Sequence, residues 1–446
     1  MNRRSFLNST SASAALAFTE SGCTNGDNKA DNKNSRQKIE SLAGMPLPEL
    51  RKRYYADLFN EYLPFLEKHV IDNEHGGFMC NTRPDGTQVT TGKRAGYEGR
   101  GIWVFSFLYN NLAKKQKYLD VAAGSAKLLL KNKPVSDDMW PGSFTRTGES
   151  DSPPGRSVNA DMYIAEGFAE FALASGDSSY FALAKEIVNK CQRVYDSPGY
   201  ALNAIKRFPD SETGGISGIR IMDDWMLFLR AATRMLEQKP DSELETLASR
   251  CVDTIINNYY NNDFGLVVEM LNYDHSRFDN EIGQFINFGN DFQALWHVMD
   301  EAVRIKNKVL FDTVAKRLRH HIEVAWDDVY GGVFNVLEHV DENRWSLGKT
   351  HYAQVETLVG LLKIIEHTGA DWAGELFTKI YRYVDEKFPQ KQYGYPLWIL
   401  GSDRMVTFRE NATRIGNFHQ PRHLMLNLTA LDRIIKRRGR ISGVFV

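Results

Sequence analysis

The sequence predicts an all-α fold, a single (α/α)6 barrel of about twelve helices, on three observations. From about residue 46 onward apolar residues recur at three- and four-residue spacing, as in MYIAEGFAEFALASGD (162–177) and HYAQVETLVGLLKIIEHTG (351–369), with almost no alternating strand pattern. The segments start near Leu47, Gly99, Tyr118, Val158, Tyr180, Ser217, Ser242, Phe288, Phe311, His351, Trp372 and Phe418, and they group into six pairs. Glycine-containing loop elements recur between them: HGGFM at Gly77, PGSF at Gly142, GGISG at Gly215, FGLVV at Gly265, GGVFN at Gly332 and YGYPL at Gly394. Their spacing of roughly 50 to 70 residues is too long for a typical solenoid repeat and suits helical hairpins with long loops. Six such hairpins close into a toroid whose inner helices present one end to a funnel.

The chain ahead of the barrel reads differently. In MNRRSFLNSTSASAALAFTESGC, Arg3 and Arg4 precede Ser5, Phe6 and Leu7 and a weakly apolar stretch, the pattern of a twin-arginine export signal over residues 1–22. Ser21 and Gly22 before Cys23 resemble a lipoprotein processing site, with Glu20 departing from the apolar residue usual there. Residues 23–45 are too polar to bury anything and form a tether. The expectation is an exported, periplasmic or envelope lipoprotein that meets the membrane only through its anchor. Residues 46–446 hold no Pro/Ser-rich linker and are read as one catalytic domain.

Composition narrows the function. With 55 Lys and Arg against 56 Asp and Glu among 446 residues, the formal charge is −1, which offers little field for polyanions and excludes nucleic acid as a main partner. Cys23, Cys80, Cys191 and Cys251 form no CxxC or metal-ligand pattern. GxSxG, HExxH, GxxxxGK[ST] and GxGxxG are absent from any useful context. An open helical array would make a binding scaffold. Against it, Trp103, Trp140, Trp225, Trp296, Trp345 and Trp398 sit beside polar residues near helix starts or loops, as a sugar cleft requires. His419 and His423 in FHQPRH are four apart on one helix face, but no third ligand stands at metal-site spacing. Pro421 and Arg422 make this stretch a helix entrance, with His419 facing the mouth.

HGGFMC (75–80), YEGRGIWVFSFLYN (97–110), HYAQVETLVGLL (351–362) and GNFHQPRHLMLNLTALD (416–432) follow in an order that resembles the N-acylglucosamine 2-epimerase family, with its related aldose–ketose isomerases and cellobiose 2-epimerases. The resemblance covers roughly residues 46–437 and implies an (α/α)6 barrel, a small-molecule sugar substrate, no metal or nicotinamide cofactor, and a homodimer as the assembly to expect. It makes His419 a general acid/base and Arg100 a ligand of the sugar oxygens near the reacting carbon. Glu356 takes the pocket's acidic position with Gln354 beside it, and Tyr97, Tyr352 and Trp398 complete the substrate-binding set. Histidine suits C2 chemistry because its ordinary pKa of about 6.5 lets it give and take protons near neutrality. A fixed guanidinium can stabilise the enediolate oxygen.

The departures are as informative. Where the family carries a GHxxE-like element at the eighth helix, this chain reads GNDFQ, so Asn290 stands at the histidine position and Gln293 at the glutamate position of the catalytic set. Neither amide accepts a proton at neutral pH, although both can hydrogen-bond a sugar. His297 lies about two turns, roughly 10 Å, further along and cannot simply replace Asn290. Tyr163 stands where the isomerase branch tends to show histidine. Two rival functions remain: a glycoside hydrolase or lyase using two of Asp161, Glu166, Asp291 and Glu356, and a carbohydrate-binding protein that has lost catalysis. Replacing Arg3 and Arg4 together with Lys is expected to stop delivery to the cell envelope, read by cell fractionation; unchanged delivery would refute the signal assignment.

Overall fold

The computed structural model describes residues 38–83, 85–202, 216–390, 395–396, 401–402, 408–409 and 416–445. Twelve helices occupy the described residues. The first, α1, runs Leu47–Ala56 and continues through a π-helical segment, Asp57–Tyr62, into Leu63–His69. It is followed by α2 (Ala95–Asn111), α3 (Gln116–Lys131), α4 (Asn159–Ser175), α5 (Ser179–Tyr195) and α6 (Met222–Gln238). The second half adds α7 (Ser242–Asp253), α8 (Phe288–Arg304), α9 (Lys308–Ala325), α10 (His351–Thr368), α11 (Asp371–Lys387) and α12 (His419–Lys436).

The burial pattern sorts them into two layers. Even-numbered helices are buried almost all round, as in the unbroken run Asp161–Ala172 of α4, whereas α5 buries one stripe that includes Ala184, Ile187, Val188 and Cys191. The even helices touch in the order α2, α4, α6, α8, α10, α12 and back to α2, closing a ring. Each odd helix packs outside its inner partner: α3 on α2, α5 on α4, α7 on α6, α9 on α8, α11 on α10 and α1 on α12. This is the (α/α)6 barrel expected from the sequence. Each outer helix carries the chain back, so all six inner helices run the same way and their N-termini collect at one end. That end is the mouth, where unsatisfied N–H groups favour negative charge.

Short strands fix the mouth. Lys93–Arg94 pairs with Ser143–Phe144 just ahead of α2, and Arg220–Ile221 pairs with Met270–Leu271 just ahead of α6. Ile286–Asn287, Val336–His339 and Arg344–Ser346 make a three-stranded sheet leading into α8. The sixth helix starts at Met222 instead of near Ser217, because Ser217 pairs in a strand with Ala201 and the Arg220–Ile221 pairing follows before the helix. At the other end of the sequence, residues 41–46 form a small hairpin with Leu42 and Ala43 in the core, so packed chain begins ahead of residue 46. Gly215, Gly394, Trp398, Cys23 and the arginine pair lie outside the described residues.

Two mouth loops are built alike. Asp72 N–H donates to Gly77 O (3.0 Å) and Gly76 N–H to Asp72 O (2.8 Å); Asp327 N–H donates to Gly332 O (2.9 Å) and Gly331 N–H to Asp327 O (2.9 Å). A buried lysine holds each one: Lys93 against Asp72 at 3.1 Å, Lys349 against Asp327 at 2.7 Å. The following N–H is capped from the next inner helix, Phe78 by Glu98 Oε1 (3.0 Å) and Val333 by Gln354 Oε1 (2.9 Å). Glycine is required at the crossing: Gly77 has φ +84°, and a Cβ there would lie 2.6 Å from Glu98.

Histidine also serves structure. His321, fully buried on α9, accepts from Val267 N–H at Nε2 (3.0 Å) and donates from Nδ1 to Arg317 O (2.7 Å). Burial pushes its pKa from 6.5 down to about 3. Between those values the unfolded chain holds a proton that the folded chain does not, so this group removes stability as the pH falls. His321→Gln should therefore be less stable at pH 7 yet lose about 1.4 kcal/mol less per pH unit on acidification. Urea unfolding at pH 4, 5 and 6 checks this, and an unchanged slope would count against it.

Candidate active site

The first two turns of the inner helices leave partly exposed residues at the mouth: Tyr97 and Arg100 on α2, Asn159 on α4, Asp223 on α6, Asn290 on α8, Tyr352 on α10 and His419 on α12. Deeper positions are closed by core residues. Several of these seven residues are tied to a neighbouring element. Asn159 Nδ2 donates to Asp223 Oδ2 (2.9 Å), Asn290 Nδ2 to Glu269 Oε1 (2.9 Å), and Tyr352 OH to Asn287 Oδ1 (3.2 Å). The backbone carbonyl of Tyr97 accepts from Asn417 Nδ2 (2.9 Å).

Below this ring sits one carboxylate with several donors. Glu356, fully buried on α10, accepts from Trp296 Nε1 at Oε2 (3.0 Å) and from Arg422 Nη2 at Oε1 (2.6 Å). His419 Nδ1 lies 2.9 Å from the same Oε1. A carboxylate only accepts, so Nδ1 carries the proton and the lone pair of the neutral ring is on Nε2. The 3.4 Å approach of Arg422 Nη2 to Nδ1 is then a contact between two donors and not a bond. Arg422 Nη2 spends its other hydrogen on Gln293 Oε1 (2.7 Å), and Gln293 Nε2 donates to Gly289 O (3.3 Å), which fixes the amide's orientation.

The electrostatics follow from this packing. Burial alone would raise the Glu356 carboxyl, but Arg422 and His419 override it and hold it at about 2. Burial pushes His419 down to about 3; the Glu356 bond opposes this, while Arg422 and Arg100 add repulsion. The imidazole therefore does not titrate near neutrality as the sequence reading expected. At pH 7 it is neutral, the form a base needs, and Glu356 stands ready to stabilise the imidazolium once a proton arrives. Three guanidinium groups surround the Phe418 ring, with Arg422 at 4.4 Å, Arg230 at 5.1 Å and Arg100 at 5.4 Å from its centroid. Arg230 is paired with Glu166 (2.5 Å). Among the described residues Arg100 has no ion pair and stacks instead on Tyr163 at 3.9 Å. This arrangement can take a proton on Nε2 and stabilise negative charge on a nearby oxygen.

Of the residues singled out from sequence, the structure gathers His419, Glu356, Gln293 and Tyr352, whose ring lies 5.2 Å from that of His419. Arg100 and Tyr97 join them at the mouth, 5.8 Å apart. Asn290 is on the same helix as Gln293 but reaches Glu269, not the His419 cluster. Gln354 requires correction as a substrate ligand: it is fully buried, and its amide is occupied by Val333 N–H and by Val333 O (2.7 Å), so it secures a loop. The tryptophans also differ from expectation. Trp103, Trp140, Trp225 and Trp296 are buried core, and Trp345 stacks on Phe288 at 5.7 Å. His423 points its Nδ1 to Gln420 O (3.0 Å). Arg422, read from sequence only as part of a helix entrance, is the residue that joins Gln293, Glu356 and the His419 cluster; its position three residues after His419 was the available signal.

Of the carboxylates considered for hydrolysis, Glu356 belongs to the His419 cluster, two others are paired with cations, and the fourth is buried away from the mouth. Asp161 pairs with Lys190 (2.8 Å) and accepts from Trp140 N–H (3.1 Å), Glu166 pairs with Arg230, and Asp291 is fully buried with neither oxygen bonded among the described residues. Burial raises the Asp291 carboxyl well above its ordinary value, with Glu269 adding repulsion. Arg422→Met should raise both Glu356 and His419, the latter from about 3 toward 6.5, because it removes the cation that favours the carboxylate and disfavours the imidazolium. An imidazole NMR titration reads this shift, and an unmoved His419 titration would disprove the coupling. The variant should also lose about 3–5 kcal/mol of stability, as a broken buried pair does.

Comparison with known proteins agrees with this fold. A family profile described as N-acylglucosamine 2-epimerase (GlcNAc 2-epimerase) matches residues 76–414. The N-acylglucosamine 2-epimerase of Mus musculus is 22% identical over 406 residues, covering 87% of this chain and 93% of the mouse protein. The cellobiose 2-epimerase structure from Bacillus thermoamylovorans superposes with a TM-score of 0.74 at 18% identity, covering 86% of this chain and 100% of that one. A D-mannose isomerase structure gives a TM-score of 0.70 at 13% identity, covering 87% of this chain and 97% of that one. These structures share the (α/α)6 fold, and by the extent of the profile match the chain belongs to the N-acylglucosamine 2-epimerase family.

Proposed function

We propose that this protein is a sugar 2-epimerase or aldose–ketose isomerase that works by proton transfer at C2, with His419 as the proton-transfer residue. One observation carries the reading: a partly exposed imidazole at the barrel mouth, neutral at pH 7, whose Nδ1 is held by buried Glu356, which puts the ring's lone pair on Nε2. With the sugar ring open, Nε2 takes the C2 proton, the C–H electron pair becomes the C1=C2 bond, and the carbonyl electrons move onto the C1 oxygen. Arg100 and Arg422 supply positive charge for that oxygen. Returning the proton to C1 while the C2 hydroxyl proton passes to the C1 oxygen gives a ketose, and returning it to C2 on the other face while the C1 oxygen regains its carbonyl gives the epimer. In this reading Asn290 and Gln293 occupy the positions at which the family carries its second histidine and glutamate, and Gln293 acts by orienting Arg422. The related proteins are named for N-acylglucosamine, cellobiose and D-mannose, so the substrate is a reducing sugar with a free C1–C2 unit.

Localisation belongs to the same reading: Arg3 and Arg4 direct export, Cys23 carries the lipid, and the barrel works in the periplasm or envelope. Proton NMR of N-acetylglucosamine, cellobiose and D-mannose incubated with the protein in D2O tests the chemistry through deuterium at C2. His419→Ala should lower that exchange by about 10² to 10⁴. Exchange within a few-fold of the parent would refute the assignment.

A further inference from the structure

Inversion at C2 needs a second proton donor on the wall facing His419, and α8 does not present one. Gln293 is bonded to Arg422 and Gly289, and Asn290 to Glu269. Asp291 is fully buried, and so, at 4% exposure, is His297. Burial together with Arg230 and Arg422 holds His297 well below its ordinary pKa. The helix that stands opposite α12 is α6, three places round the ring in either direction.

The second residue of α6 is Asp223, and the first residue of α12 is His419, so the two stand at the same level of the mouth. Asp223 is partly exposed, whereas residues 224–233 that follow it are buried without a break. Its Oδ2 accepts from Asn159 Nδ2 (2.9 Å) on the first turn of α4, which sets the carboxyl's orientation. Among the described residues it has no ion pair within 4 Å. Arg100 on α2, Arg230 on its own helix and Arg422 on α12 face it at longer range, and Asp224 is its neighbour. Burial nevertheless raises its pKa, so the carboxyl keeps a proton more readily than an ordinary aspartate, as a general acid must.

We propose that Asp223 is the second proton-transfer residue, delivering a proton to C2 from the face opposite His419. This rests on the epimerase reading above. His419 Nε2 removes the C2 proton and the enediolate forms. The Asp223 O–H bond then breaks toward C2: the C1=C2 electrons form the new C–H bond, the C1 oxygen regains its carbonyl, and Asp223 is left as carboxylate. Solvent returns a proton to Asp223 and takes one from His419, and in the reverse direction the two exchange roles. No oxidant, metal or cofactor enters the balance.

Asp223→Asn keeps the shape and the acceptor for Asn159 but cannot donate a carboxyl proton. With the three sugars in D2O, it should keep C2 deuterium exchange with retained configuration within a few-fold of the parent, while epimer formation falls about 10²-fold or more. Formate added to Asp223→Ala should partly restore epimer formation, an effect that a merely structural role would not give; thermal melting checks both folds. The proposal is overturned if Asp223→Asn forms epimer as fast as the parent, or if exchange and epimer formation fall together with a raised KM and no formate rescue. It is also overturned, with proton transfer left standing, if the parent exchanges C2 deuterium but forms no epimer. Absence of any exchange by the parent would overturn the epimerase reading and this proposal with it.

Discussion

The pairing of Glu356 with Arg422 is the constraint on which the rest of the mouth depends. A carboxylate buried without exposure would protonate if left alone, and the guanidinium 2.6 Å away keeps it charged. Once charged, it is acceptor only, which forces the proton of His419 onto Nδ1 and puts the ring's lone pair on Nε2. The same guanidinium reaches Gln293, and Trp296 closes the other carboxylate oxygen. Three further inner-helix side chains thus have their positions decided by one ion pair that never meets solvent.

That arrangement requires six helix ends to be held at one level, and the loops do this with buried polar contacts. The Asp72 and Asp327 loops use the same backbone turn, a buried lysine each, and a capping side chain at the same place, one turn into the next inner helix. Glu98 and Gln354 are therefore counterparts in two hairpins of one barrel. Their motif neighbours two residues further on are the charged ones of the site, Arg100 at the mouth and Glu356 buried beneath it. Placing a structural side chain two positions before a functional one separates loop anchoring from chemistry along each helix.

Much of this was legible in the chain. Periodicity placed eleven of the twelve helix starts within four residues, because inner and outer helices both bury apolar stripes at helical spacing. The exception, α6, is displaced by strand pairings that two-residue segments cannot signal. In the site, His419, Glu356, Arg100 and Tyr352 came from motif order, while Gln354 was misread because a motif does not say which member faces inward. Arg422 and Asp223 were missed for a different reason. Their contacts are with neighbours 66 and 64 residues away in sequence, and no local pattern encodes the ring closure that brings them there. The depressed pKa of His419 was also invisible, since burial and two arginines set it together.

The amides on α8 then acquire a physical reason. A glutamate at position 293 would give Arg422 a second carboxylate, weaken its hold on Glu356 and raise the pKa of His419 by adding negative charge nearby. Gln293 accepts the same hydrogen bond without that charge, so Glu356 remains the single anion at the base and the tautomer of His419 stays fixed. A histidine at position 290 would meet Glu269, the carboxylate that Asn290 now engages, and would be drawn toward its charged form. The net effect of the two amides is to remove titratable groups from the α8 wall. Among the described residues of the inner-helix mouth, the imidazole and carboxyl groups that remain partly exposed are those of His419 and Asp223, on opposite walls, flanked by the permanent charge of Arg100. Charge that would have been spread over three helices is concentrated along one diameter of the barrel, the line along which the two faces of an open-chain sugar must be addressed.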